Sequence, residues 1–395
     1  MRILLHTNNF LPIIGGAEIV IHNLAEGLVE LGHDVIVSTF QSRYPNPVAN
    51  YEIKRLKNIH GMTRLGVGAK SRQFVLKRFI KRIEPDIIHT HFSIPSGVEI
   101  AEIKNKISVP IILTCHGEDI QKVPEISYGY RLNPDKEAII KTTVNRFDKL
   151  IAISDDIKRE YLSLGVSKNK IVRCPNPINY NLLQNKSNRL RTELGIDSQK
   201  KIILAVGRNH QKKGFKSLIN IIDYLVNQLN EKNILCIIVG KEVSKLSEII
   251  EKKDLNKYFL LKETAIPVGI KFQNDGYIKE DLIETYFKTA DIYAMTSIVE
   301  SFGLVTIEAM ASGLPIIGYD SPGTNELIIN NENGIIVEKN NEYEFAKKIK
   351  EIVKNDLFAN YLKNNAQKTA LNYSRIAIAK KHLEVYKIAI SRYNE

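Results

Sequence analysis

The stretch Glu300–Pro315, ESFGLVTIEAMASGLP, sets two carboxylates, Glu300 and Glu308, eight residues apart around a loop containing Gly303 that turns into a helix. A helix that opens on free backbone N–H groups is a ready anion site, because those groups lack partners inside the helix and the dipole adds partial positive charge. One carboxylate precedes that site and the other lies about two turns into the helix. Glu308 sits in VTIEAMASG, among small and apolar neighbours. A carboxylate there needs hydrogen-bond donors, since burying it alone is expensive. Backbone for a phosphate and carboxylates for hydroxyls together suit a sugar joined to a nucleoside diphosphate.

Outward from this block the chain reads as two units. In the first, apolar runs at Ile3–His6, Val35–Ser38, Asp86–His89, Ile111–Thr114, Leu150–Ile153 and Ile171–Arg173 alternate with helical patterns. Continuous β-branched runs separated by helices predict a parallel sheet covered on both faces. Pro175-Asn176-Pro177 stops the pattern, and a polar, Asn-rich stretch follows, with a short helix expected at Leu190–Leu194. The alternation restarts at Ile202–Val206, Ile234–Val239, Ile292–Met295 and Pro315–Gly318, and beyond Glu342 the chain reads as helical. The expected architecture is α/β, with two doubly wound Rossmann-like domains facing across a cleft. The boundaries are 1–178, a linker at 179–200, and 201–374, with a terminal helix, 375–395, packing back on the first domain. At 395 residues the length fits two domains of ordinary size. In open α/β sheets ligands sit at the carboxyl ends of strands, and every motif below falls at such an end.

Gly15-Gly16-Ala17-Glu18 follows the first strand and opens the first helix; paired glycines let a ligand approach the backbone. The pattern is not GxGxxG, which argues against a nicotinamide dinucleotide. Val206–Gly214, VGRNHQKKG, follows the first strand of the second unit. Arg208 can grip a phosphate bidentately and Lys213 can add a point charge. It is not a Walker loop, because no Gly-Lys is followed by Ser or Thr. His116-Gly117-Glu118-Asp119 follows the strand ILTC. A histidine with two acids suits acid–base work, and the three are too close in sequence for a closed metal site. His89 and His91, after another strand, could point into the same cleft, but each taken singly reads as a structural histidine.

The formal net charge is +12, and residues 43–106 carry 13 basic against 5 acidic side chains. Within 70–83, KSRQFVLKRFIKRI, a helix puts Val75, Leu76, Phe79, Ile80 and Ile83 on one face, with Arg72, Lys77, Arg78, Lys81 and Arg82 around it. Such a helix either lies on an anionic membrane surface or docks on its own sheet with a solvated basic rim. Nucleic acid is not the expected partner, because no stacking aromatics interleave the basic residues. Cys115, Cys174 and Cys236 form no CxxC pair, so neither a disulfide framework nor a structural zinc is expected. No targeting segment or run of roughly 20 apolar residues is visible. The expected location is the cytoplasm, with peripheral attachment to the inner face of the cell membrane if the basic helix binds lipid.

These motifs, in this order and over nearly the whole chain, resemble the glycosyltransferase family 4 group, the retaining GT-B enzymes. GGAE, HGED, VGR…KG, the Glu-x7-Glu block with EAMASGLPII, and SPGTNELI at 321–328 carry the resemblance. It implies a sugar transferred from a UDP- or GDP-sugar to a hydroxyl of a glycan or lipid-linked acceptor, as in cell-surface polysaccharide or glycolipid synthesis. It implies that Arg208 and Lys213 bind the donor diphosphate, that Glu308 binds the ribose hydroxyls and that Glu300 contacts the transferred sugar. Ser301, Phe302, Gly303, Leu304 and Val305 would line the donor, Gly15 and Gly16 would belong to the loop closing over the phosphates, and His116 would stand near the reacting sugar. Arg208, Lys213, Glu300 and His116 are thus the expected catalytic set. No metal or other cofactor is expected to be essential, since fixed cations and amide dipoles take that place. Attack by an acceptor hydroxyl on the leaving-group side, with retention at the anomeric carbon, is also implied. The chain departs from the family at Asn176-Pro177-Ile178-Asn179, where an Asn-Gly-Val-Asp-like run is usual, and at Pro322-Gly323, where two glycines are usual. A nucleotide-sugar epimerase on the same architecture, or a polyanion-binding protein without catalysis, are the rival readings.

Overall fold

A computed structural model describes residues 1–42, 44–57, 68–184, 187, 189–263, 267–270 and 282–394. Among the described residues the chain divides into two compact units, one built on residues 1–177 with the C-terminal 375–394, the other on residues 178–374. Arg43 and residues 58–67 of the basic segment, and 185, 186 and 188 of the expected linker, lie outside the described residues.

The first unit holds β1 (Arg2–Thr7), β2 (Asp34–Thr39), β3 (Glu52–Arg55), β4 (Ile87–His91), β5 (Ile111–Thr114), β6 (Lys149–Ala152) and β7 (Ile171–Arg173). All pair in parallel, in the order β3-β2-β1-β4-β5-β6-β7. The strand order reverses direction at β1, between β2 and β4, which puts the ligand crevice of such a sheet at the carboxyl ends of β1 and β4. The crossovers are α1 (Gly16–Glu30), α2 (Gly68–Ile83), α3 (Val98–Ile103), α4 (Pro134–Asn145) and α5 (Asp155–Ser163). Side-chain caps start α4 and α5: Asn133 accepts from the Lys136 N–H, with Pro134 at the first helical position, and Ser154 accepts from the Ile157 N–H. In α2 the buried face is Ser71, Leu76, Phe79 and Ile80, while Phe74, Lys70, Arg78, Lys81 and Arg82 are exposed. Arg72 turns inward. Its Nε lies 2.9 Å from buried Glu99, an Nη donates to Asn8 at 2.7 Å, and its guanidinium covers the Phe40 ring. Arg72 therefore leaves the basic rim: without it, buried Glu99 would keep only His6 Nε2, at 3.3 Å, as a partner.

The second unit holds β8 (Lys201–Val206), β9 (Ile234–Val239), β10 (Phe259–Lys262), β11 (Ile292–Met295), β12 (Ile316–Tyr319) and β13 (Ile335–Val337), all parallel in the order β10-β9-β8-β11-β12-β13. Its helices are α6 (Tyr180–Leu183), α7 (Arg189–Glu193), α8 (Phe215–Asp223), α9 (Ser247–Lys252), α10 (Ile283–Thr289), α11 (Leu304–Ala311), α12 (Glu342–Lys354) and α13 (Asp356–Leu371). The core runs from Ile203, Ile238 and Ile317 in the strands to Leu218, Ile222, Phe345 and Ile349 in the helices. The described part of 179–200 belongs to this unit. Gln184 donates to the Ala311 carbonyl at 2.8 Å, and Arg191 pairs with Asp291 at 2.6 Å. Helix α14 (Arg375–Asn394) returns to the first unit, where the Tyr386 hydroxyl bonds His89 at 2.7 Å.

Candidate active site

Of the residues singled out in the sequence, Gly15, Gly16 and His116 lie in the first unit, and Arg208, Lys213, Glu300 to Val305 and Glu308 lie in the second.

In the second unit the chain leaves β8 at Gly207 and makes a short turn, 211–213, that ends on Lys213. Two bonds fix that turn against the end of β11: Thr296 Oγ1 donates to the Lys213 carbonyl at 3.0 Å, and the Ile298 N–H to the Lys212 carbonyl at 2.7 Å. The Lys213 ammonium then reaches Glu300 Oε1 at 2.6 Å, and Ser297 Oγ donates to the same oxygen at 2.7 Å. Burial works to raise the Glu300 pKa. The positive charges of Lys213 and Lys212 and the hydrogen bonds from Lys213 and Ser297 outweigh it, so the carboxyl lies below its ordinary value. Glu300 is thus ionised in place at neutral pH, although only 7% exposed. Arg208 is exposed, and its guanidinium makes no hydrogen bond or ion pair among the described residues.

Gly303 caps α11 with φ at +88°, a left-handed conformation that suits glycine. The N–H groups of Leu304 and Val305 begin the helix without intrahelical partners, and both residues are half-exposed. Gly323 explains how the Pro322-Gly323 departure is accommodated. A Cβ there would lie 2.2 Å from the Glu300 carbonyl oxygen, and the Glu300 N–H donates to the Pro322 carbonyl at 2.9 Å. The second glycine position therefore holds the Glu300 backbone; the first tolerates proline because only its carbonyl is used. Ser301 and Phe302 are buried, and the Phe302 ring packs 5.8 Å from Tyr373. Glu308 falls in the second turn of the short α11 and is 5% exposed. Burial, with a smaller push from the charge of Glu284, raises its pKa to about 8.

In the first unit, the Glu18 carboxyl folds back over the start of α1: its Oε2 lies 2.4 Å from where a Cβ on Gly15 would stand. Burial raises the Glu18 pKa to about 7, opposed by its own backbone N–H. The helix N-terminus at Gly15–Gly16 is therefore covered by an acid of its own first turn. The loop after β5 overturns the reading of HGED as a histidine with two working acids. Glu118 is exposed, and the buried Asp119 carboxylate is occupied by the backbone N–H groups of His116 (2.8 Å), Gly117 (3.0 Å) and Ser93 (2.8 Å). Asp119 shapes the turn on which His116 rides.

His116 itself is half-buried, and burial lowers its pKa to about 3. Its Nε2 lies 3.0 Å from His91 Nδ1, the two rings stack with centroids 5.3 Å apart, and Phe92 packs on the other partner position at 5.1 Å. Phe92 holds φ at +71°, a conformation that costs a bulky residue about 1–3 kcal/mol and clusters at functional sites. Sequence reading did not single out Ser297, it took Asp119 as a working acid and not as the fixed point of the turn, and it set His91 aside as structural. The available signal for His91 was the strand period: His89 and His91 of IIHTH share one face, and the register pairs His91 with Thr114, two residues short of His116.

Residues 14–182 match the family described as Glycosyltransferase Family 4, and residues 186–369 match Glycosyl transferases group 1. The chain belongs to the glycosyltransferase family 4 group. It is 28% identical to an uncharacterized glycosyltransferase of Methanocaldococcus jannaschii over 99% of both chains. It is 25% identical to the alpha-monoglucosyldiacylglycerol synthase of Streptococcus pneumoniae over 83% of this chain and 73% of that one. Among solved structures, the HepE protein of Anabaena, crystallised with UDP-glucose, shares the fold over 98% of this chain and 99% of that one, with a TM-score of 0.76 at 19% identity. The fold is that of GT-B glycosyltransferases, and this family 4 member is an enzyme of that class.

Proposed function

We propose that the enzyme transfers a sugar from a UDP- or GDP-sugar to a hydroxyl of a glycan or lipid-linked acceptor, with retention at the anomeric carbon. The observation that carries the reading is the buried Lys213–Glu300 pair set before the open N-terminus of α11. Glu300, already ionised, accepts hydrogen bonds from sugar hydroxyls. The Lys213 ammonium keeps two further N–H donors for a phosphate, and unpaired Arg208 supplies a bidentate grip. As the glycosidic bond breaks, charge grows on the departing diphosphate, and these cations with the Leu304 and Val305 amides stabilise it, the kind of contribution that often dominates catalysis. They do so without a divalent ion. Glu308 receives the ribose hydroxyls, whose donors favour its ionised form. His116, neutral at working pH, contributes a hydrogen bond rather than a proton. Lys213 and Ser297 both hold Glu300 Oε1 in its ion pair and hydrogen bond, which supports attack by the acceptor from the leaving-group side over a covalent intermediate on Glu300.

The relatives bear on the acceptor. The pneumococcal relative is named for synthesis of a glucosyl diacylglycerol, and HepE was crystallised with UDP-glucose. The exposed Lys70, Phe74, Arg78, Lys81 and Arg82 of α2 form a basic face with one apolar ring, which fits the surface of an anionic bilayer and hence a lipid-linked acceptor. Among the described residues no helix is long and apolar enough to cross a membrane.

The test is a thermal-shift panel of UDP-, GDP- and ADP-sugars with and without a chelator, followed by anomeric analysis of the product. A ligand at 100 times its Kd stabilises the folded state by about 2.7 kcal/mol. A shift with UDP- or GDP-sugars that survives the chelator, and an acceptor-dependent product with the donor's anomeric configuration, are expected. No shift with any of the three overturns the donor; an altered sugar released without acceptor indicates epimerisation.

A further inference from the structure

We infer that His91 is a positioning residue: it donates its Nδ1–H to His116 Nε2 and so fixes the His116 ring as an Nδ1–H donor. The reading of the reaction gives His116 a task, and the inference rests on it only for that task; the tautomer follows from the geometry alone.

The two nitrogens are 3.0 Å apart, so one proton lies between them. Burial keeps both rings neutral, lowering the pKa of each. A neutral imidazole carries one N–H and one bare nitrogen, which leaves two arrangements. In the first, His91 carries its proton on Nδ1 and its Nε2 is bare. In the second, His116 donates from Nε2, and His91 must carry its own proton on Nε2.

His91 Nε2 decides between them. It is buried, on a residue only 1% exposed, and has no hydrogen-bond partner among the described residues. The second arrangement would strand an N–H there, and orphaned buried N–H groups are rarer than under-satisfied acceptors. The first leaves only a lone pair. Neighbouring groups hold the His91 ring in place. The His89 ring lies over it at 4.3 Å between centroids and is itself fixed at both nitrogens, by the Tyr386 and Thr114 hydroxyls at 2.7 Å each. Asp119 fixes the His116 backbone, and the left-handed Phe92 lays its ring against His116.

With Nε2 accepting, His116 presents Nδ1–H outward. It can then donate to a hydroxyl, carbonyl or phosphate oxygen of a ligand, and it has no bare nitrogen left to receive a proton from an attacking hydroxyl.

The test is 15N-histidine NMR of the full chain without substrate, with the His116 signals assigned by their loss in His116→Gln. A protonated Nδ1 and bare Nε2 on His116 are expected in the wild type. In His91→Asn, whose side-chain amide can still donate, that pattern is retained. In His91→Phe, with no donor, His116 moves to Nε2–H, and turnover of UDP-glucose, where present, falls through KM and kcat together while His91→Asn recovers it. A wild-type His116 with its proton on Nε2, or an unchanged pattern in His91→Phe, overturns the proposal. Should His91→Phe fail to fold, the wild-type spectrum alone decides. A chain that turns over no nucleotide sugar leaves the spectrum unaltered, so the two readings fail separately.

Discussion

The two units carry their functional groups at the same place, the carboxyl edge of a parallel sheet, yet they present opposite electrostatics. The second unit holds charge there: Lys213 paired with Glu300, Arg208 unpaired and exposed, and a helix start among them. The first holds neutral rings: His116, His91 and His89 in contact, all with pKa values lowered by burial. The difference teaches a division of labour. Fixed cations suit a leaving group that gains negative charge, and they must be pre-formed to be effective. Neutral donors suit hydroxyls, which gain no full charge and reward orientation.

The comparison breaks most severely at Lys213. Lys213→Ala leaves Glu300 buried with Ser297 as its remaining donor, and removing one partner of a buried ion pair costs about 3–5 kcal/mol. The expected result is a large fall in Tm together with loss of turnover by more than about 1,000-fold, since both the cation and the proposed sugar-binding carboxylate are compromised. The double variant Lys213→Met with Glu300→Gln should recover most of the Tm and none of the turnover. A Lys213→Ala chain as stable and active as wild type would mean that the second unit does not work through this pair.

Arg208 sharpens the same contrast without the stability penalty. It is exposed and its side chain is unpaired, so Arg208→Ala should leave the unfolding free energy within about 0.5 kcal/mol of wild type while kcat falls by about 100- to 1,000-fold. Arg208→Lys should recover part of this and no more, because a point charge lacks the bidentate fork. Near-normal kcat in Arg208→Ala removes the arginine from the reaction.

Stability against pH separates buried Glu308 from the buried histidines by sign. Burial raises the Glu308 pKa from 4.5 to about 8. The stability contributed by its protonated form is fully present below about pH 4.5 and is lost as pH rises toward 8. Glu308→Gln, which cannot ionise, should therefore be more stable than wild type near pH 8, by on the order of 3 kcal/mol, with little gain near pH 5. A saturating nucleotide sugar should shrink that difference by pairing the carboxylate. The buried histidines act in the other direction. The pKa of His116 falls from 6.5 to about 3 and that of His382 to about 4, so their contribution is intact above about pH 6.5 and lost as pH falls through those values.

What the sequence made legible follows the same division. Central strands such as β1 (RILLHT), β8 and β9 are largely continuous apolar runs, because both faces of a parallel sheet are covered. The edge strands β3, EIKR, and β10, FLLK, are half-exposed and were not legible, since nothing forces their pattern. The three-residue β13 at the other edge is too short to stand out from its loop. In the site, charged residues announced themselves by type: Arg208, Lys213, Glu300 and Glu308 are conspicuous in glycine-rich or apolar settings. Their pairing was not visible, because Lys213 and Glu300 are 87 residues apart and no local pattern encodes the contact. His91 was passed over for a different reason. A histidine in an apolar strand looks structural until the register shows what stands beyond its neighbour's end.

The smallest expected effect falls on His116, and it tests whether the first unit is truly a site of neutral groups. One neutral hydrogen bond contributes about 0.5–1.5 kcal/mol, so His116→Gln should lower kcat/KM by roughly 2- to 10-fold. The pH profile discriminates better than the size. With its pKa near 3, His116 has no titration to contribute near neutrality, and wild type and His116→Gln should give parallel profiles from about pH 5 upward. An arm of the wild-type profile with a midpoint near 6.5 that disappears in His116→Gln would show the ring cycling a proton. It would then be an acid–base catalyst, and the contrast between a charged second unit and a neutral first one would fail at its central residue.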